Sequence, residues 1–297
     1  MQKNKKKDYP LTIKKLTSSI TDLPTFPHIV NNALKMLENP MVSPVQLGKL
    51  LSSDQILTSK ILKLVNSAFY GFPRSVSTVH HAIVLLGFKA IKDLLITTSI
   101  FNVFSHKKNN SFFDRNKFWE HSIGCGIAAR IIANNFNYRL SGEIFTYGLV
   151  HDIGKIVEDI YLSEEFLKII NIVKAEKISV IEAEKRVLDT THAEIGSWLV
   201  DKWNLPYEFV EVIKYHHDPT LSVDNKDLCI IVYIANMICK INNIGSGGDN
   251  YVTLPMDNII EILKDRKPDI KSLGLEEISC QLREEMKKTE ILLQMMD

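Results

Sequence analysis

The residues of this sequence that could do chemistry are its histidines, one of which directly precedes an aspartate. Five of the nine histidines lie beyond residue 110 and stand in helical sequence context: His121, His151, His192, His216 and His217. The aspartate is Asp152, next to His151. Imidazole and carboxylate groups that turn inward from separate helices are a common way for a helical bundle to hold metal ions. The pattern therefore predicts a metal site.

The His151–Asp152 pair suggests what such a site could do. The carboxylate of Asp152 can bridge two cations while the imidazole of His151 binds one, and the cations together polarise a phosphate and activate water. Lys155, one helical turn beyond His151, could place positive charge near a phosphoryl oxygen. If the protein is an enzyme, Asp152 and Lys155 are therefore the expected catalytic residues.

Each of these residues also has a purely structural interpretation. A lone His121 or His192 is commonly a partly buried helix residue bonded to a neighbour, and a lysine such as Lys155 commonly has a solvated head. The glycines Gly148 and Gly154 favour the functional interpretation, because each costs a helix roughly 1 kcal/mol and so indicates close helix contact around the pair.

The elements that must position these residues are helices. Ser43 is followed by Pro44 and, three residues on, by Gln46, which predicts a capping box at a helix start. Residues 83–104 are apolar too densely for one exposed face, so a central helix is expected there. Period-two alternation is nearly absent. The sequence predicts an all-α protein.

Breaks in the pattern predict the domain organisation. A polar run at residues 105–110 separates a helical subdomain at 15–108, preceded by a disordered basic start at 1–14, from a helical bundle at 109–244. A glycine-rich run at 242–250 predicts a flexible loop within a final region, 245–297. That region also predicts an amphipathic helix from apolar residues at helical spacing: Leu275, Ile278, Leu282, Met286 and Leu293.

Composition excludes several classes of protein. Lys and Arg number 36 against 35 Asp and Glu, a net charge of +1, which does not favour duplex nucleic acid as a partner. Apolar residues make up 45% and charged residues 24%, which is typical of a globular chain. No apolar stretch approaches the roughly 18 residues that a membrane span needs. Four scattered cysteines and a basic start without an apolar core predict a cytoplasmic location.

The histidine pattern resembles the HD superfamily of metal-dependent phosphohydrolases, especially its HD-GYP branch. Three upstream segments resemble the HDOD family, the HD-related output domains of bacterial signalling proteins, over about residues 15–243: LPTFP at 23–27, LKLVNSAFYG at 62–71 and AIVLLG at 82–87. The resemblance implies an N-terminal helical subdomain packed on an HD-type helical bundle. It also implies a regulatory module that contacts signalling proteins or a ligand such as a nucleotide second messenger.

The resemblance further implies two metal positions that share Asp152. His192, His216 and His217 would hold one ion, whereas His121, His151 and the residue at position 236 would hold the other. HD enzymes carry a second aspartate there, and this chain has Asn236. The lost charge removes about 4 kcal/mol of attraction at about 4 Å and an effective dielectric near 20.

Activity is the point on which two interpretations remain open. The Gly-Tyr-Pro of the HD-GYP branch is absent after His217, where Asp218-Pro219-Thr220 stands. We therefore expect a regulatory module whose degenerate site binds one divalent ion (Fe, Mn, Mg or Zn) or none. The alternative is a metal-dependent phosphohydrolase acting on a nucleotide or cyclic nucleotide.

Overall fold

The structure, a computed structural model, describes residues 25–105, 112–135, 144–249 and 274–289, together with isolated positions at 13, 18, 251, 259, 261 and 262. These residues form helices and connecting turns and no strand, so the all-α prediction is confirmed for the part of the chain described. The predicted disordered start at 1–14 and the polar break at 106–110 lie outside these ranges, apart from position 13. The predicted domain boundaries stay predictions.

The N-terminal subdomain contains four described helices: α1 (His28–Leu37), α2 (Pro44–Leu51), α3 (Gln55–Val65) and α4 (Val79–Ser105). The predicted capping box begins α2, with 3.2 Å from the Gln46 amide nitrogen to Ser43 Oγ and 3.0 Å from the Ser43 nitrogen to Gln46 Oε1. Asp54 caps α3 by accepting a hydrogen bond from the Leu57 nitrogen at 2.9 Å. Helices α1, α2 and α3 pack around α4.

Helix α4 is central, as the apolar density predicts. Its side chains from Asp93 to Phe101 are all buried. The helix is not straight, however, because Gly87 adopts φ 79° and ψ 168°, a backbone conformation that favours glycine. The kink turns the first part of α4 away from the line of its buried second part.

The bundle that follows is built from eight described helices. They are α5 (Arg115–Asn135), α6 (Ile144–Val150), α7 (Ile153–Tyr161), α8 (Ser163–Glu176), α9 (Val180–Leu188), α10 (His192–Lys202), α11 (Tyr207–Tyr215) and α12 (Lys226–Ile241). Helix α5 packs against both α6 and α12, and α10 packs against both α7 and α11. The N-terminal subdomain meets this bundle where α4 contacts α6.

A final helix, α13 (Leu275–Met286), packs against α5. Its Ile278 and Leu282 are buried, as the predicted amphipathic pattern requires. Leu293, the last residue of that pattern, lies outside the described residues. Among the described helices, none combines the length and the apolarity that crossing a bilayer would take.

The predicted flexible loop at 242–250 has specific contacts over its described part. The Ser246 nitrogen donates to the carbonyl oxygen of Lys117 at 2.9 Å, and the Val180 nitrogen donates to Asp249 Oδ2 at 2.6 Å. Asp249 also pairs with Lys240. The glycines therefore fit this segment against the bundle, where a Cβ at Gly245 would meet the Lys117 carbonyl oxygen at 2.2 Å.

Candidate metal centre

The predicted histidine and aspartate ligands come from four places in the bundle that the packing of the helices brings together. His121 lies on α5, and the His151–Asp152 pair forms the turn between α6 and α7. His192 is the first residue of α10, and His216 and His217 directly follow α11. The start of α10 is fixed by a capping box between Thr191 and Glu194.

Two glycines permit the close approach of these helices. A Cβ at Gly154 would lie 1.9 Å from the carbonyl oxygen of His192, and one at Gly148 would lie 2.6 Å from that of Cys125. No side chain fits at such distances. The close helix contact predicted from Gly148 and Gly154 is confirmed, and it sets α7 directly against the ligand end of α10.

Asp152 lies at the centre of the cluster and is fully buried. Its Oδ1 is 3.0 Å from His192 Nε2 and 3.3 Å from His216 Nε2, whereas its Oδ2 is 3.4 Å from His151 Nε2. His217 lies on the Oδ1 side of Asp152, together with His192 and His216, and its Nε2 is 2.9 Å from His192 Nε2. The carboxylate thus divides its two oxygens between two groups of imidazoles.

The hydrogen bonds of the rings show that these atoms suit a cation. His151 Nδ1 donates to the Gly148 carbonyl oxygen and His216 Nδ1 to that of Ile213, both at 2.7 Å. Because a carbonyl oxygen only accepts, Nδ1 carries the proton in the neutral form of either ring, and Nε2 then offers a lone pair toward the carboxylate. His151 Nε2, His216 Nε2 and Asp152 Oδ1 are buried without a hydrogen-bond partner. Acceptors that face one another in this way fit a bound metal ion.

The pKa shifts agree with this assignment. Burial lowers the pKa of His216 to about 3, so its imidazole is neutral near pH 7. Burial and the neighbouring His216 also hold the pKa of His217 well below its ordinary value. Burial alone would raise the pKa of Asp152, but the surrounding imidazoles and Lys155 outweigh it and hold that pKa well below normal. Neutral imidazoles at His216 and His217 and an ionised carboxylate at Asp152 therefore face one another at this site.

His192 has an acidic partner behind it, away from Asp152. Its Nδ1 lies 2.7 Å from Glu184 Oε1, and its backbone nitrogen donates to Glu184 Oε2 at 2.9 Å. Burial would lower the pKa of His192, but Glu184 reverses this and raises it. A carboxylate on the far nitrogen orients a ligating imidazole and makes it more basic. Glu184 could not be predicted from the sequence, because its spacing of eight residues from His192 follows no ligand motif.

Lys155, predicted as a catalytic residue, forms a buried ion pair with Asp152. Its ammonium nitrogen lies 2.6 Å from Asp152 Oδ2, and its side chain is 2% exposed. Burial would lower the pKa of Lys155, but Asp152 outweighs this and raises it. The charge predicted for a phosphoryl oxygen is in this structure paired with a carboxylate oxygen.

The glycine-rich segment 244–249 covers this side of the cluster. A Cβ at Gly247 would lie 2.9 Å from Asp152 Oδ2 and 3.2 Å from Lys155 Nζ. Ile244 accepts a hydrogen bond from His121 Nδ1 through its carbonyl oxygen, at 3.2 Å. Asp152, His151, His192 and His216 are fully buried, and only His217 among the residues on the Oδ1 side keeps partial exposure.

The potential ligand atoms fall into two groups, within each of which they lie no more than 4.8 Å apart. The first position is formed by Asp152, His192, His216 and His217. The second position is formed by His121, Cys125 and His151. The first group matches the set that the resemblance implies, whereas the second contains His121 and His151 with Cys125 and does not include Asp152. The role of each residue as a ligand stays a prediction.

Cys125 is a residue that the sequence analysis missed, although its spacing of four from His121 places both on one face of α5. Asn236, predicted as a substituted ligand, is buried on α12, and its Oδ1 has no hydrogen-bond partner. It lies one helical turn before Cys239, which interacts with Cys125. The structure thus places Asn236 on the helix that lines the second position.

The fold and this centre together define a class of helical protein with a buried histidine–aspartate cluster. The model of the HDOD domain family matches residues 23–219, more than half of the chain. This protein belongs to the HDOD domain family.

Solved structures of bacterial proteins share the fold. An HDOD domain protein from Geobacter sulfurreducens, described as of unknown function, is 26% identical, covers 95% of this chain and 97% of its own, and superposes with a TM-score of 0.79. A protein of Shewanella amazonensis, named as a candidate phosphohydrolase, is 21% identical over 95% of this chain and 98% of its own, with a TM-score of 0.72.

A sequence relative is an uncharacterised protein of Treponema pallidum (strain Nichols), 27% identical over 227 residues. The match covers 76% of this chain and 44% of the relative. This chain thus spans less than half the length of that relative.

Proposed function

We propose that this protein is a regulatory output module of bacterial signal transduction in the cytoplasm, whose HD-type site holds a metal ion and turns over no substrate. It acts by binding other signalling proteins. A nucleotide second messenger is a second ligand that we propose for it. The net charge of +1 gives no support to duplex nucleic acid as a partner.

The observation that carries this proposal is the closed state of the cluster. A hydrolase must bring a phosphoryl group to both its metal ion and its cationic side chain. Here Lys155 is paired with Asp152, and Gly247 lies against both. The segment 244–249 thus covers that pair, where a phosphoryl group would have to bind.

A metal ion at the first position has a clear structural use. Its proposed ligands follow α6, begin α10 and follow α11, so one ion ties three separate parts of the bundle to one another. Because the unfolded chain holds no such site, the free energy of binding contributes directly to folding. Metal occupancy would therefore change how firmly these helix ends are held, which is a signal that a partner protein could detect.

Metal analysis of the full chain, purified without chelator, tests the metal part of the proposal. We expect at least one equivalent of divalent metal, and less in Asp152→Ala and His216→Ala. Fewer than about 0.2 equivalents in the parent protein would contradict the proposal, since a formed site retains its ion. The control is His28→Ala, a change on the exposed start of α1.

The alternative function is a metal-dependent phosphohydrolase, and the observation in its favour is the converged His151–Asp152 pair with Lys155. A panel of nucleotides, cyclic nucleotides and model phosphodiesters with Mn²⁺ or Fe²⁺ separates the two functions. Turnover by the parent that Asp152→Ala abolishes would replace our proposal. Activity gained by Asn236→Asp alone would show that a single missing charge silences an enzyme site.

A further inference from the structure

The second position has a ligand set of its own, and Cys125 is the member that sets its chemistry. His121, Cys125 and His151 are all buried, and their ligand atoms lie within 4.8 Å of one another. His121 Nε2 is 3.5 Å from Cys125 Sγ. His121 and Cys125 come from the same face of α5, and His151 comes from the turn after α6.

The hydrogen bonds leave more lone pairs than protons at this position. His121 Nδ1 donates to the Ile244 carbonyl oxygen and His151 Nδ1 donates to that of Gly148, so in the neutral form of these rings both Nε2 atoms are acceptors. The single thiol proton of Cys125 can serve His121 Nε2. His151 Nε2 is fully buried and has no hydrogen-bond partner. A cation that binds all three atoms would satisfy it.

The charges around this position indicate which ligand must be anionic. Asp152 Oδ2, the carboxylate oxygen on this side, is already paired with the Lys155 ammonium at 2.6 Å. Asn236, where HD enzymes have an aspartate, is neutral. Among the residues grouped at the second position, Cys125 alone can become an anion, by losing its proton to solvent as a metal–sulfur bond forms.

We propose that Cys125 is a thiolate ligand at the second position and that, with His121 and His151, it selects a thiophilic divalent ion, zinc in particular. Thiolate and imidazole together favour zinc over manganese or magnesium, which prefer oxygen ligands. This inference rests on the proposed metal-holding function and extends it from one ion to two. Cys125 supplies the negative charge that position 236 lacks.

Cobalt substitution tests the inference without any assay of activity. Metal-free full-length protein is titrated with Co²⁺ while its visible and near-ultraviolet absorption is recorded. We expect two equivalents to bind, with thiolate-to-cobalt charge transfer in the near ultraviolet. Cys125→Ser should bind one equivalent without that band, and its affinity for a second Zn²⁺ should fall at least tenfold. His216→Ala should lose the other equivalent and keep the band.

Two cysteine variants serve as matched controls. Cys229→Ser changes a buried thiol on α12 that contacts the Glu211 carbonyl oxygen, and it should leave the charge-transfer band intact. Cys239→Ser changes the thiol beside Cys125 and should also keep the band. A band that disappears in Cys239→Ser but survives in Cys125→Ser would overturn the assignment.

The remaining outcomes separate this inference from the proposed function. One bound equivalent without a charge-transfer band overturns the inference and leaves the first position standing, whereas no bound metal contradicts both. Should Cys125→Ser fail to fold, X-ray absorption of the zinc-loaded parent protein reads the ligands directly. One sulfur at about 2.3 Å from zinc is the expected result, and a shell of nitrogen and oxygen alone overturns the inference.

Discussion

At the scale of single residues, the centre depends on groups that hold its ligands as well as on the ligands. His192 is oriented by Glu184. One carboxylate oxygen of Glu184 accepts a hydrogen bond from the ring Nδ1 of His192, and the other accepts one from its backbone nitrogen. Glu184 in turn lies next to Glu158, and both side chains are fully buried. Each of these acidic residues supports a prediction.

Glu184→Gln should weaken metal binding at the first position. The amide keeps the shape of the side chain but removes the negative charge that makes His192 basic, so affinity for zinc should fall about tenfold to a hundredfold. Competition with a chelator of known affinity measures the change. Glu182→Gln, on the exposed side of the same helix, is the control. Equal affinities in the parent and in Glu184→Gln would refute the role of Glu184.

Glu158→Gln should make the protein more stable at alkaline pH. Burial and the neighbouring Glu184 raise the pKa of Glu158 well above its ordinary value. The folded chain therefore keeps a proton that the unfolded chain releases, and stability falls as pH rises between those two pKa values. The amide removes this dependence, so at pH 8 the free energy of unfolding should rise by about 1–3 kcal/mol.

Urea denaturation at pH 4 and pH 8 measures that difference, which should narrow toward pH 4. Glu164→Gln, an exposed residue on α8, is the control and should show little change at either pH. A Glu158→Gln protein that is less stable than the parent at pH 8 would show that the carboxyl is charged and satisfied in the folded state.

At the scale of helices, the site exists because α7 and α10 touch through backbone. Gly154→Ala would set a methyl group 1.9 Å from the carbonyl oxygen of His192. The helices must separate, which should cost at least about 2 kcal/mol of stability and weaken metal binding as His192 moves from Asp152.

Thermal or urea unfolding with a metal titration checks this prediction. The matched control is Gly274→Ala, where the added Cβ would meet only the side chain of Glu277, at 3.4 Å and 3.5 Å. If both alanine variants behave like the parent, the close contact between α7 and α10 does not constrain the site.

The helices could be predicted from the sequence because their signals are local. Ser43 and Gln46 predict the start of a helix, and the high density of apolar residues around Phe101 predicts a central helix. The kink at Gly87 could not be predicted, because a glycine inside an apolar run is equally compatible with a straight helix. The hydrogen bonds that Asn66 exchanges with the backbone of Val76, at 2.7 Å and 2.9 Å, could not be predicted either, because they join residues ten apart across a turn.

The candidate site was predictable to the extent that its residues follow a motif. The spacing of His151, Asp152 and Lys155 within one helical turn is visible in the sequence. Glu184 reaches His192 across the short turn between α9 and α10, and their spacing of eight residues matches no ligand motif. Residues 244–249 reach the cluster by contacts with residues far away in the sequence, so their composition indicated a loop but not its place.

At the scale of the whole molecule, Arg130 on α5 joins three parts of the chain. Its guanidinium lies 4.2 Å from the centre of the Phe69 ring in the N-terminal subdomain. The same group lies 3.3 Å from Glu285 Oε2 on α13. Asn242 adds a second link to α13 through Ser279 Oγ, at 2.9 Å.

Arg130→Leu should therefore loosen α13 without unfolding the bundle. The variant loses both the ion pair and the cation–π contact, so amides of residues 274–289 should exchange hydrogen several-fold faster. Hydrogen–deuterium exchange with mass spectrometry measures this. The control is Lys287→Gln, which breaks an exposed pair with Glu284. Equal acceleration in both variants would count against a joining role for Arg130.

The segment 244–249, which covers the cluster, would affect the rate at which a metal ion is released. It lies against Asp152, Lys155 and His121, so we expect an ion bound on that side to leave only after Ser246 and Asp249 lose their hydrogen bonds. The rate of metal release would then be set by how often this segment opens and not by the affinity of the ligands. Metal occupancy would then change more slowly than the metal concentration around the protein. For a short time after such a change, the protein would still hold the metal that it bound at the earlier concentration.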